Sequence, residues 1–142
     1  MRRLFRSIVL CSVLFSGFSL GLAAQEMTAE EKKAEKEFYE AVEKEIDRLT
    51  GLLKLEDWQV FYVDSILTHD YKAMQAELKV LQDRKVTNAN MYYDIQYKWQ
   101  DRIYDAYNKI FDEAQWAKYL KSGAARDKKN RDKKRGKQVV QE

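Results

Sequence analysis

The chain has 142 residues, 26 Lys and Arg against 23 Asp and Glu for a net charge of +3, five Gly and no Pro. That length suits one domain, and a Pro-free, Gly-poor chain rich in Glu, Lys, Ala, Leu and Tyr favours long helices over a sheet with many turns. A single cysteine, Cys11, excludes an internal disulfide and a cysteine zinc site.

The first 24 residues read as a secretory signal peptide rather than as part of the fold. Met1 to Arg6 is basic, Ile8 to Leu22 is apolar with Ser and Gly, and Leu22-Ala23-Ala24 ends in small residues before the polar Gln25-Glu26. Cleavage is expected after Ala24, with Ala23 as the alternative, so the mature protein is expected in the periplasm. An uncleaved anchor is the competing reading, disfavoured by the short apolar run. Leu10 stands where a lipobox needs a small residue, so Cys11 is not read as a lipidation site.

Helix 1 is expected from Thr28, whose capping box closes on Glu31, to about Leu53. Phe38, Tyr39, Val42, Ile46, Leu49 and Leu53 recur at spacings of three and four and make one narrow apolar stripe. Helix 2 is expected over 57–82 and has two faces. Val60, Val63, Leu67, Tyr71, Met74, Leu78 and Leu81 form the core stripe. Trp58, Tyr62, Ile66, His69, Ala73 and Val80 lie almost opposite.

A turn over 83–90 leads to helix 3, capped by Asn88 or Asn90. Its core stripe is Tyr92, Ile95, Trp99, Ile103, Ala106, Tyr107 and Ile110. Tyr93, Tyr97 and Tyr104 line a flank roughly 100–140° away, and Asp94, Asp101, Asp105 and Asn108 occupy the far side. Helix 4 is short, from Glu113 to about Lys121.

The chain then changes character. Residues 25–120 carry 14 basic and 20 acidic side chains, whereas 121–142 carry 9 basic and 3 acidic. Residues 123–138 have almost no apolar side chains, so the segment from 122 onward is expected to be a disordered basic tail. Nucleic acid is not expected as its partner in an exported protein. Its own acidic body, an anionic envelope surface, or solvent alone remain.

Two local motifs bracket the hairpin. Leu55-Glu56-Asp57-Trp58-Gln59-Val60 and Phe111-Asp112-Glu113-Ala114-Gln115-Trp116 each place an apolar residue, a cap position and, three residues on, a Gln. The Gln can reach back to the N–H of the cap residue, while Leu55 staples to Val60 and Phe111 to Trp116. The runs Asp47 to Gln59 and Ile110 to Tyr119 resemble the two LTxxQ regions of the Spy/CpxP family of exported helical proteins. The resemblance spans about 28–121, with Glu56 and Asp112 in place of Thr and Phe111 in place of Leu. It implies an all-α protomer of four helices, with a long antiparallel helix 2–helix 3 hairpin flanked by helices 1 and 4, that pairs into a cradle-like homodimer. It also implies an ATP-independent chaperone or envelope-stress role, in a family that includes signalling inhibitors and metal sensors.

Second faces on both long helices independently call for a partner surface. Tyr62, Ile66 and His69 on helix 2 and Tyr93, Tyr97 and Tyr104 on helix 3 are the expected client or dimer surface. Leu55, Glu56, Gln59, Phe111, Asp112 and Gln115 are the structural corners. No catalytic residues stand out: Ser65 and Ser122 lack a His or Asp partner at a recognisable spacing, and there is no glycine-rich loop. His69 is the one seed for a metal site, but Ala73 stands at i+4 where a second His would be needed. The expected protein is therefore a non-enzymatic one without cofactor that binds partly unfolded clients. A signalling adaptor or metal-sensing module docking on an envelope partner is the alternative.

Overall fold

The computed structural model describes residues 27–139, so the expected signal peptide at 1–24 lies outside the described residues. Those residues form an all-α fold. Helix α1 is Ala29–Leu53, α2 is Asp57–Asp83, α3 is Ala89–Ile110 and α4 is Glu113–Tyr119. A π turn over Leu120–Ala124 then carries the chain into α5, Ala125–Val139. As expected, α2 and α3 make a closely packed hairpin; α1 lies along α2 and α4 returns to α1.

Local chemistry sets each boundary. The Thr28 hydroxyl accepts from the Glu31 N–H at 3.2 Å, and Glu31 Oε2 accepts from the Thr28 N–H at 2.8 Å, a complete capping box. At the other end of α1, Lys54 turns left-handed with φ 56° and donates its N–H to Thr50 O at 2.9 Å. Helix α2 closes with Lys85 at φ 54°, whose N–H bonds Gln82 O while the Val86 N–H bonds Leu81 O. That pair of bonds is a Schellman ending. The Tyr92 hydroxyl donates to Val86 O at 2.8 Å and pins the turn, and Asn88 caps α3 through the Asn90 N–H.

The core is Val42, Leu49, Leu53, Val63, Leu67, Ile103, Tyr107 and Phe111. All belong to the expected stripes or the second corner, and they sit where the corner end of the bundle brings α1, α2 and α3 together. Towards the hairpin tip the stripe thins, with Leu81 buried but Met74 and Leu78 only half-covered. No helix among the described residues is long and apolar enough to cross a membrane.

The disordered tail is the expectation that the structure corrects. Residues 125–139 are helical. A segment without apolar residues stays unfolded only as a chain in water, where ordering has nothing to offset it. In the fold it continues α4 through a kink at Gly123 (φ 122°, ψ −15°) and meets the acidic side of α3. Asp101, on the far side of the α3 wheel, accepts from Arg131 Nε at 2.9 Å and from Arg135 at 2.6 Å. Of the tail's three expected destinations, the acidic body of the protein itself is occupied.

Candidate functional site

The two corners are tied to each other. Gln59 and Gln115, both buried, form a reciprocal amide pair: Gln59 Nε2 donates to Gln115 Oε1 at 2.6 Å, and Gln115 Nε2 donates to Gln59 Oε1 at 2.9 Å. Each Oε1 also accepts the N–H of its own cap residue at 3.0 Å, Glu56 for Gln59 and Asp112 for Gln115. The second amide hydrogen of Gln59 goes to Ile110 O at 2.9 Å. Asp112 caps α4 through the Gln115 N–H at 2.7 Å, while the Glu56 carboxylate accepts the Trp58 indole N–H at 2.6 Å. The capping role of the glutamines was legible in the spacing. Their meeting across 56 residues was not, because a capping box uses only one side of the amide.

From this corner α2 presents an aromatic stripe to solvent. Trp58 is 49% exposed, Phe61 66% and Tyr62 50%. Their rings meet edge to face, Trp58 to Tyr62 at 6.1 Å and Phe61 to Tyr62 at 5.7 Å. Beside them a shallow groove between α1 and α2 is lined by Tyr39, Ile46, Val60 and Phe61. Phe61 belongs to neither stripe of the sequence reading. It is three residues from Trp58, and that i,i+3 spacing was the signal that could have placed it there.

The six expected surface residues separate. Tyr62 and His69 are exposed, whereas Ile66 turns inward and packs on the core. His69 is not a free ligand: its Nδ1 lies 2.7 Å from Oδ1 of Asp70, a carboxylate buried in the α2–α3 seam that also accepts from Arg102 Nε at 3.1 Å. Arg102 in turn lies over the Trp99 ring at 5.4 Å. Among the described residues no group of three or more His, Cys, Asp or Glu side chains is placed to hold a metal ion.

On α3, Tyr93 remains 46% exposed, but Tyr97 is buried and Tyr104 half-covered. Tyr104 meets Trp116 edge to face at 4.9 Å. Tyr97 stacks on Tyr93 at 6.0 Å, with Arg135 5.7 Å above its ring and Lys134 5.8 Å above that of Tyr93. Tyr104 is therefore covered by the protein's own α4 and Tyr97 by α5, while Tyr93 stays half-open. Asp101, Arg131 and Arg135 are the residues that sequence reasoning missed here. Lys128, Arg131 and Arg135 share one helical face at spacings of three and four, a signal that exists only once the segment is read as a helix.

Beneath the arm lies a polar pocket of about 120 Å³, lined by Glu45, Tyr71, Tyr107, Tyr119 and Arg131 among others. The Tyr107 hydroxyl there is buried without a hydrogen-bond partner among the described residues. Burial, and then the neighbouring Tyr119, push its pKa well above the usual tyrosine value. Burial, followed by the charge of Glu45, pushes Tyr119 up to about 12. Comparison with protein-family models, with curated proteins and with solved structures gives no match.

Proposed function

We propose that this is an exported, ATP-independent chaperone-like protein of the Spy/CpxP kind, which holds partly unfolded clients in the periplasm during envelope stress and works as a homodimer. The observation that carries this reading is the uncovered stripe of Trp58, Phe61 and Tyr62. Three adjoining large aromatics in water are costly for a protein that has no use for them, and contiguous exposed apolar surface marks an interaction site. Edge-to-face rings on the first turns of a helix give a broad, non-directional surface. Such a surface suits clients that share no sequence, because apolar contact asks only for area. The Tyr62 phenol keeps the patch wettable between clients.

Capture of this kind needs no nucleotide and no covalent step. A client's exposed apolar segments lie on the stripe and leave as they bury themselves in folding. The surrounding face of α1 and α2 is charged and keeps the complex in solution. Pairing of two protomers brings two stripes to one client and raises the effective concentration of the second contact.

The test is light scattering from a chemically denatured protein diluted with and without the purified protein, alongside its sedimentation mass. Suppression by a species of twice the chain mass is expected. The triple variant Trp58→Ser/Phe61→Ser/Tyr62→Ser keeps the fold, since these rings are exposed. It loses three contacts of roughly 0.5–1.5 kcal/mol each and weakens capture by about tenfold or more. Absence of suppression by the unmodified protein at every ratio removes the chaperone reading, and a strict monomer removes the dimer.

A further inference from the structure

Helix α5 is an unusual element to find docked. Its sequence, Ala125 to Val139, is almost wholly charged and amide side chains, and of its described side chains only Arg131 is buried. Its attachment is therefore not hydrophobic. One carboxylate, Asp101 on α3, receives Arg131 at 2.9 Å and Arg135 at 2.6 Å, with Lys128 Nζ at 3.9 Å. Below these cations lie the tyrosines already described, Tyr97 buried and Tyr93 stacked upon it. At the base of the arm Gly123 takes φ 122°, a backbone state that glycine adopts freely.

These three features belong together. A helix held by ion pairs rather than by apolar area leaves its site without disturbing the core, so its local stability is separable from that of α1–α3. Its attachment weakens as salt screens the pairs, unlike hydrophobic docking, which salt leaves intact or strengthens. A kink at glycine gives it a pivot.

We infer that the arm from Gly123 onward is a latch. It is hinged at Gly123 and locked by Asp101 against Arg131 and Arg135. It covers Tyr97, which becomes available to clients beside the half-open Tyr93 only when the arm swings away. This rests on the client-binding reading above. The stripe on α2 is open at all times, whereas on α3 Tyr93 is half-open and Tyr97 is conditional. Whatever competes for Arg131 and Arg135 or neutralises Asp101 opens it.

Two readouts that need no client test the latch: amide hydrogen exchange across 125–136, and nitration of Tyr97 by tetranitromethane. Asp101→Asn is expected to raise α5 exchange by about tenfold and to make Tyr97 reactive while α1–α3 stay protected. The double variant Arg131→Gln/Arg135→Gln, which leaves α3 untouched, is expected to do the same. So is raising sodium chloride from about 0.1 M to about 1 M, which shortens the screening length from ~10 Å to ~3 Å. Unchanged exchange and unchanged Tyr97 reactivity in both variants overturn the latch. In the scattering assay the opened variants are expected to suppress aggregation at a lower ratio than the parent. An arm that opens without that gain overturns its role as a cover. A parent that never suppresses, with the arm opening as described, fails the chaperone reading alone and leaves the hinge standing.

Discussion

Gln59 and Gln115 show how much one side chain can be asked to do. Each amide oxygen accepts two N–H groups, one from its own helix start and one from the other glutamine. Removing either amide strands its partner in a buried place, where an unsatisfied polar group costs more than the bond itself contributed. Gln59→Ala or Gln115→Ala is thus expected to lower unfolding stability by about 2–4 kcal/mol. The double variant should lose clearly less than the sum, with a coupling of roughly 1–3 kcal/mol. Urea unfolding of the three variants measures this, and additive losses would show that the pair does not hold the corners together. The sequence spacing disclosed the capping half of this arrangement. The pairing half needed the hairpin to return Gln115 to Gln59, which no local pattern encodes.

At the scale of elements, periodicity worked where burial decides conformation. The stripes of α1, α2 and α3 were legible because apolar residues repeat at the helical period only if one face is to be covered. It failed for α5, whose folding depends on a carboxylate on another helix. Gly123 is the joint between those two regimes. A Cβ there would meet Arg126 and Asp127 side chains at 3.5 and 3.8 Å, ordinary contact distances, so space is not the obstacle. The backbone is: at φ 122° any other residue is strained by about 1–3 kcal/mol. Gly123→Ala is expected to leave the urea midpoint of the α1–α3 core unchanged while speeding amide exchange along 125–136. Unaltered exchange there would mean that the arm tolerates another path out of α4.

At the scale of the whole molecule, all five helices meet around the polar pocket where Tyr71, Tyr107 and Tyr119 lie beside Glu45 and Arg131. Burial holds these phenols in the neutral form, Tyr119 up to about 12 against an ordinary value of 10.0. In the unfolded chain they ionise at the ordinary value. Stability from this source is therefore fully present below about pH 10 and declines as pH rises through 12, because the unfolded state releases its protons first. The loss from Tyr119 alone is roughly 2 kcal/mol by pH 12. Tyr119→Phe is expected to flatten that alkaline limb in urea titrations at several pH values. A slope identical to that of the parent would place Tyr119 in water.

The sequence by itself determined the fold class, the helix boundaries near 28, 54, 57, 88 and 111, and the two corner motifs, because caps and apolar periods are written within a few residues of where they act. Only the tertiary structure decided which aromatic face stays open. Trp58, Phe61 and Tyr62 are left in water, while Tyr97 lies under a helix that composition alone would leave unfolded. The physical reason is that a charge-rich helix is ordered by its partners, and Asp101 is a partner only once the arm lies against α3.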